Sequence, residues 1–243
     1  MSMRLNLKRG NEDAAVVARF CAASVLTALF IALAVTVKFV DTSAIGPNGT
    51  VVGLSAVNGA VRDVVGYSET WYALSEALGC FPIGVLLGLV IIGAAELIKT
   101  KKISAELWIL AAFYVLLAAI YVAFELIGLN YRPVLLGDEP EASFPSSHTL
   151  LAVFSAASTS SLIARRRQKR GVKIFAVVFL AALCCAEVVA RTLSGVHWIT
   201  DIAASLLLGG ALSLFAAALF DTARGKRGKN KEKHGAQNEK ITP

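Results

Sequence analysis

Residues with the right chemistry for phosphate ester hydrolysis stand at the edges of apolar runs: Arg132, His148, Arg191, His197 and Asp201. A phosphate ester resists attack because its oxygens are already negative. Its hydrolysis therefore needs fixed positive charge, a nucleophile and a donor of a proton to the leaving oxygen. Arginine, histidine and aspartate side chains can together supply all three.

The spacing of His197 and Asp201 suits nucleophilic catalysis. These residues are four positions apart, so on a helix both side chains lie on one face. A carboxylate bonded to one ring nitrogen fixes the tautomer and leaves the other nitrogen with a free lone pair. We therefore expect His197 to be the nucleophile, forming a phosphohistidine that water hydrolyses. His148 would protonate the leaving alcohol or phosphate.

Other residues of the pattern can bind the phosphate itself. Arg132 and Arg191 can each hold phosphate oxygens through two parallel hydrogen bonds, a geometry that lysine cannot match. Ser146 can donate its hydroxyl. If a helix begins here, the backbone N–H groups of Ser147 and His148 would form an anion site at its N-terminus.

Each of these residues also has a structural explanation when it is taken singly. Ser146, Ser147 or Asp201 could each cap the start of a helix, and a histidine at a membrane interface can be an amphipathic anchor. Arg191 could pair with Glu187, one helical turn earlier. The joint occurrence of the residues favours a catalytic site.

The order Arg-Pro, then Pro-Ser-x-His, then Arg-x5-His-x3-Asp spans residues 132–201 and resembles the type 2 phosphatidic acid phosphatase (PAP2) superfamily. The resemblance implies a metal-independent phosphatase that acts on lipid phosphates without a cofactor. Within this family pattern His197 would be the nucleophile, Asp201 its partner and His148 the acid. The phosphate ligands implied by the resemblance are Arg132, Arg191 and Ser146.

Three positions depart from the family pattern. Glu125 stands where the family has lysine, Ser147 replaces a glycine, and Ala190 replaces a serine. A carboxylate at position 125 would repel a phosphate where the family attracts one. Two hypotheses follow: Glu125 turns away and pairs with a neighbour, or Lys38 or Arg62 supplies the missing charge.

The composition indicates an integral membrane protein. Hydrophobic residues make up 56% of the 243 residues and the mean hydropathy is +0.65, so lipid must solvate much of the chain. A transmembrane helix needs about 20 apolar residues. The qualifying stretches are roughly 15–37, 78–98, 105–128, 147–164, 174–190 and 202–220.

We therefore expect an all-α, polytopic fold in which six transmembrane helices form a bundle, with the site at one end of helices three to six. The membrane domain would cover residues 1–220, and the polar, basic residues 221–243 would form a disordered tail. The first apolar run resembles a signal peptide, but its length favours an uncleaved anchor. The cysteines lack metal-ligand spacing and are expected to be packing residues.

Lysine and arginine placement predicts the orientation, because short translocated loops are poor in both. These residues are concentrated in segments 1–13, 99–102, 165–173 and 221–243. Both termini should therefore be cytoplasmic, with the motif-bearing loops on the external face of a plasma membrane. The net charge of +7 fits this topology and contact with anionic headgroups, and does not require a nucleic acid partner.

The longest external segment, residues 41–77, mixes charged and apolar side chains. We expect one or two interfacial amphipathic helices there, with Trp71 and Tyr72 at the level of the headgroups. No motif in this segment indicates a function.

The sequence thus predicts a phosphatase acting on a membrane lipid phosphate. Candidate substrates are a polyprenyl diphosphate such as undecaprenyl diphosphate, phosphatidic acid and phosphatidylglycerol phosphate. One alternative is a non-catalytic lipid-phosphate binding or transport protein, which Glu125 and Ala190 favour. A second is haloperoxidase chemistry with bound vanadate, which soluble relatives of the family carry out. The motifs do not indicate the oligomeric state.

Overall fold

The computed structural model describes residues 2–239, and the side chains of residue 10 and residues 13–225. Eight α-helices form this part of the chain, and it contains isolated bridges but no strands. The fold is all-α, as predicted. The helices are α1 (Ser2–Phe39), α2 (Ser55–Val65), α3 (Glu69–Leu78), α4 (Phe81–Thr100), α5 (Ala105–Ile127), α6 (Ser147–Arg165), α7 (Arg170–Leu193) and α8 (Ile199–Glu239).

Five segments of the described chain are helical, long and apolar enough to cross a membrane, which makes this a multi-pass membrane protein. They are Asp13–Phe39, Glu69–Thr100, Ala105–Ile127, Arg170–Leu193 and Ile199–Gly225. The remaining predicted span, residues 147–164, forms α6, which is less apolar because serine and threonine recur along it. α6 contacts α4, α5, α7 and α8, so it packs within the bundle.

Small residues allow α6 and α8 to approach closely. A Cβ built on Gly209 of α8 would lie 2.9 Å from Val153 Cγ1 of α6, a distance that only glycine avoids. In lipid, helices associate through close van der Waals contact, because the hydrophobic effect does not act between them, and small residues permit that contact. α8 is also the most buried of the apolar spans: 61% of its apolar stretch is buried inside the protein, against 17% for α1.

Ion pairs join the helices at the end of the bundle where α6 finishes. Arg165 holds Asp221 of α8 through two hydrogen bonds, Nε to Oδ1 at 2.7 Å and Nη2 to Oδ2 at 2.8 Å. Arg19 of α1 pairs with the same carboxylate, and Arg166 pairs with Glu96 of α4. This polar network ties α1, α4, α6 and α8 together at the end opposite to the predicted site.

The last helix differs from the expected one at both ends. It begins at Ile199, earlier than the predicted residue 202, and its backbone stays helical to Glu239. Residues 221–239 of the predicted tail thus belong to this helix. Residues 240–243 of that predicted tail lie outside the described residues.

The segment 41–77 forms two helices, α2 and α3, that dock on the loop before α8. Asn58 Nδ2 donates to Thr200 Oγ1 at 3.0 Å, and the N–H of Thr200 donates to Asn58 Oδ1 at 3.3 Å. At Gly195, which has φ +68°, a Cβ would lie 1.8 Å from the carbonyl oxygen of Gly66. A side chain at position 195 would thus push α2 and α3 away from the site.

Candidate active site

Arg132 is held by the segment that connects α5 to α6. Its N–H donates to the carbonyl oxygen of Glu141 at 2.9 Å, beside an antiparallel bridge between Tyr131 and Ala142. The indole Nε1 of Trp198 donates to the carbonyl oxygen of Tyr131 at 2.6 Å. The connecting segment is therefore fixed against the start of α8, with Arg132 beside it.

His197 lies between Asp201 and Arg132. Its Nδ1 is 3.4 Å from Asp201 Oδ2, and its Nε2 is 3.4 Å from Arg132 Nη1. A guanidinium donates hydrogen bonds and accepts none, so Nε2 presents its lone pair. The ring proton then lies on Nδ1, facing the carboxylate. This is the tautomer that an attacking Nε2 requires.

Asp201 is not the N-cap of the last helix, as its position allowed, because α8 begins two residues earlier, at Ile199. Its Oδ2 accepts from the N–H of Trp198 at 3.1 Å, which satisfies a donor at the start of α8. The same oxygen faces His197, whereas Oδ1 has no hydrogen-bond partner among the residues whose side chains are described. One carboxylate oxygen therefore accepts from the backbone that precedes α8 and faces the imidazole.

The protonation of His197 follows from its surroundings. Burial lowers the pKa of this imidazole well below its ordinary value, and the positive charge of Arg132 lowers that pKa further. Both effects disfavour the imidazolium. His197 is consequently neutral at neutral pH, with its lone pair available.

A second group of residues surrounds Arg191, whose side chain is almost fully buried. Its Nη2 lies 2.9 Å from His148 Nδ1, and its Nη1 donates to Glu76 Oε1 at 2.6 Å and to Ser75 Oγ at 3.0 Å. The ring of Tyr72 lies 5.7 Å from the guanidinium carbon, within cation–π range. Tyr72, a residue of α3, thus contacts the site.

The pairing of Arg191 with Glu187, which the sequence left open, does not form. Glu187 is fully buried, and neither carboxylate oxygen has a hydrogen-bond partner in the described part of the chain. The last turn of α3 supplies the carboxylate for Arg191 instead, through Glu76.

The structure brings most of the predicted site residues together. The charges of Arg191 and His148 act on His197, so the two groups share one end of the bundle. Ser147 lines the same cleft as His197. Ser146, at the N-cap of α6, is fully buried, and its hydroxyl donates to Thr149 Oγ1 at 3.2 Å. A phosphate contact from Ser146 would need this hydroxyl to turn.

A cleft of about 660 Å³ leads away from His197 and Arg132 along the face of α5. On α5 its lining reaches from Glu125 to Tyr114. These residues are eleven positions apart, or about 16 Å along a helix axis. Most of the side chains between these limits are apolar. The remaining lining residues are Leu117, Ala118, Tyr121, Phe124, Glu141, Ala142, Ser143, Phe144, Pro145, Ser147, Leu150 and Leu151.

Glu125 lines this cleft, and neither compensation suggested from the sequence is present. Among the residues whose side chains are described, none forms a hydrogen bond or ion pair with Glu125. Lys38 and Arg62 are not part of the cleft wall; Arg62 lies over Trp198, 5.8 Å from the ring centre. The cleft therefore keeps an uncompensated carboxylate where the family pattern has lysine.

A solved structure has a fold similar to that of this protein. A crystal structure described as the first transmembrane PAP2 type phosphatidylglycerolphosphate phosphatase from Bacillus subtilis has a similar fold. The TM-score is 0.57 at 18% sequence identity, and the match covers 82% of this chain and 96% of that chain. The fold is thus that of a membrane PAP2 protein.

The sequence itself also matches this class. The PAP2 superfamily model matches residues 125–224, a stretch that contains all of the motifs. This match confirms the resemblance to the PAP2 superfamily that the motifs predict. No curated protein sequence matches the chain.

Sequence reasoning missed the acidic partners of both arginines. Glu76 binds Arg191 from α3, and Glu141 Oε2 lies 2.9 Å from Arg132 Nε. Both glutamates lie in segments without a recognisable motif, and each meets its arginine only through tertiary structure. Glu141 ends an acidic stretch, residues 138–141, but nothing in the sequence indicates that Arg132 is its partner.

Proposed function

We propose that the protein is a lipid phosphate phosphatase that acts through a phosphohistidine at His197. The observation that carries the proposal is the environment of this histidine. Nδ1 faces Asp201, while the lone pair on Nε2 faces Arg132 and the cleft. An oriented, neutral imidazole beside a guanidinium can attack a phosphorus atom that the guanidinium holds.

In the proposed reaction His197 Nε2 forms a bond to phosphorus as the bond to the leaving oxygen breaks. His148, protonated on both ring nitrogens, gives its Nε2 proton to that oxygen, and Arg132 and Arg191 neutralise the charge on the remaining oxygens. Water then attacks the phosphohistidine, losing a proton to His148, which releases phosphate and restores both rings.

The cleft along α5 supports a lipid as substrate. Its polar end holds Arg132 and His197, and its lining descends about 16 Å on the helix axis, about half of a hydrocarbon core of about 30 Å. An acyl or prenyl chain lying along α5 would keep its phosphate at the polar end. Polyprenyl diphosphates, phosphatidic acid and phosphatidylglycerol phosphate all fit this description.

The proposal includes a location. With lysine and arginine concentrated in alternate loops, both termini would be cytoplasmic and the site would face outward from a plasma membrane. Cysteine substitutions at Gly137, in the loop between α5 and α6, and at Gly171, at the start of α7, should react oppositely with an impermeant maleimide on intact cells: Gly137→Cys is labelled and Gly171→Cys is protected. The reverse pattern would overturn this orientation.

The activity is tested with purified protein in detergent and a panel of these lipid phosphates. We expect phosphate release without added metal, unchanged by EDTA, and loss of release in His197→Ala. Release that EDTA abolishes, or that His197→Ala retains, would contradict the mechanism.

A non-catalytic lipid-phosphate binding protein is the second candidate. The observation that favours it is Glu125, which lines the same cleft as Arg132 and has no partner among the residues whose side chains are described. Phosphate binding without turnover would support this candidate. The retained set of His197, Asp201 and His148 favours the enzyme, because binding alone needs neither a nucleophile nor a proton donor.

A further inference from the structure

Glu76 lies beside two residues of the proposed phosphatase site, Arg191 and His148. Its Oε1 accepts from Arg191 Nη1 at 2.6 Å and lies 3.6 Å from His148 Nε2. One carboxylate oxygen therefore faces both the guanidinium assigned to the phosphate and the imidazole assigned to the leaving group.

The end of α3 is shaped to fit this arrangement. Gly79 follows α3 directly, and a Cβ at that position would lie 2.4 Å from His148 Cδ2. The neighbouring Ser75 Oγ, fully buried, accepts a second hydrogen bond from Arg191 at 3.0 Å. α3 is thus a wall of the site, and its last turn contacts Arg191 and His148 directly.

Hydrogen-bond chemistry fixes the ring proton of His148 in the free protein. Arg191 Nη2 can only donate, so His148 Nδ1, 2.9 Å away, must accept. The proton therefore lies on Nε2, the nitrogen that faces Glu76. To donate this proton efficiently the ring must first become an imidazolium, with a proton on each nitrogen. The bond from Arg191 to Nδ1 prevents that state.

Phosphate binding would remove the obstacle. A phosphate oxygen is a stronger acceptor for a guanidinium than a neutral ring nitrogen, since the hydrogen bond is then charged at both ends. Once Arg191 turns to the phosphate, Nδ1 can take a proton from solvent. Of the charged groups that act on His148, Arg191 and Arg132 are positive and Glu76 is negative. Glu76 is therefore the group that stabilises the imidazolium.

We infer that Glu76 is a positioning residue for proton donation in the proposed phosphatase reaction. In the free protein it accepts a hydrogen bond from Arg191 and faces the Nε2–H of His148. After phosphate draws Arg191 away, it stabilises the His148 imidazolium, which gives its Nε2 proton to the leaving oxygen as the bond between that oxygen and phosphorus breaks. The inference rests on the proposed function, because it concerns one step of that reaction.

The test compares leaving groups in Glu76→Gln, a variant that keeps the side-chain shape and removes its charge. With phosphatidic acid, whose alkoxide leaving group needs a proton, kcat should fall about 10- to 100-fold, part of the roughly 10²–10⁴-fold contribution of a general acid. With 4-nitrophenyl phosphate, whose leaving group needs little protonation, kcat should stay within about threefold. KM should not rise, because a carboxylate no longer competes with phosphate for Arg191.

A matched control is Glu69→Gln, which removes an exposed carboxylate from the first turn of the same helix and should leave both substrates unaffected. Glu76→Asp should recover part of the lost kcat for phosphatidic acid. The ratio of kcat values for the two substrates does not depend on how much of a preparation is folded, since both are measured on the same sample.

Specific outcomes separate the inference from the function on which it rests. An equal loss with both substrates, a raised KM, or behaviour like Glu69→Gln would overturn the role of Glu76 while leaving the phosphatase intact. A wild-type protein inactive on both substrates would overturn the proposed function, and the role of Glu76 with it.

Discussion

His197 and His148 each contact an arginine, but through different ring nitrogens. In His197 it is Nε2 that faces Arg132, and in His148 it is Nδ1 that faces Arg191. Because a guanidinium only donates, Nε2 carries a lone pair in the first ring and a proton in the second. The same residue type is thus held as an acceptor in one place and as a donor in the other.

The two rings also differ in how they are held. The His197 side chain is 2% exposed and is oriented by Asp201, four residues along the same chain segment. The His148 side chain is 30% exposed, and its partners come from α3 and α7. If the proposed roles hold, the nucleophile is organised before substrate binds, whereas the proton donor depends on contacts that substrate must rearrange.

Removing the carboxylate that orients the nucleophile should have the largest effect. Asp201→Asn keeps an oxygen for the N–H of Trp198 but can donate to His197 Nδ1, which favours the wrong tautomer. We expect kcat to fall on the order of 10³-fold or more, as for an aspartate that orients a catalytic histidine. The measurement is steady-state hydrolysis of phosphatidic acid.

The control for that variant is Asp63→Asn, an exposed aspartate of α2, which should keep wild-type kcat. A loss below about tenfold in Asp201→Asn would mean that His197 does not depend on its partner.

A smaller effect is expected on the pH dependence of activity, through the pKa of His197. Protonation removes the lone pair of His197, so activity is lost as pH falls through its pKa, which burial and Arg132 lower. Arg132→Gln removes one of these causes and should move the acid limb of kcat/KM to higher pH. The ionisation of the substrate is common to both proteins and cancels in the difference. An unchanged or lowered limb would contradict the placement of Arg132 beside His197.

Substitution of Glu125, the carboxylate in the cleft, should have the smallest effect on hydrolysis. Glu125 is exposed, so its repulsion of a phosphate is screened and should cost about 0.2–1 kcal/mol, or up to about fivefold in KM. Glu125→Ala should lower KM for a lipid phosphate, and Glu125→Lys should lower it further, both with kcat little changed. If KM is the same in all three proteins, Glu125 does not face the bound phosphate.

The residues of the His197 group could be predicted from sequence because their chemistry is local. His197 and Asp201 are four residues apart, as the motif requires, and they do meet. His197 precedes α8, however, so the carboxylate of Asp201 reaches back from the first turn of the helix to the ring. The helical bundle was likewise predictable, since apolar runs of membrane length leave few other folds. The extension of α8 beyond residue 220 to Glu239 was not predicted, because polarity alone does not exclude a helix that continues an existing one.

The His148 group could not be predicted in the same way, because its partners meet through tertiary contacts. Glu76 and Arg191 are far apart in sequence, and the segment that carries Glu76 has no motif. The helical spacing of Glu187 and Arg191 suggested a pair that the structure does not form. The decisive factor is the docking of α3 against α7, which no local pattern encodes.

The central claim is that His197 and His148 have separate roles, nucleophile and proton donor. It is tested most directly by quenching a single turnover of radiolabelled 4-nitrophenyl phosphate and mapping the labelled peptide. The account predicts alkali-stable, acid-labile label on the peptide that contains His197, in the wild type and in His148→Ala alike, and no label in His197→Ala. Label on His148, or on His197→Ala protein, would contradict it.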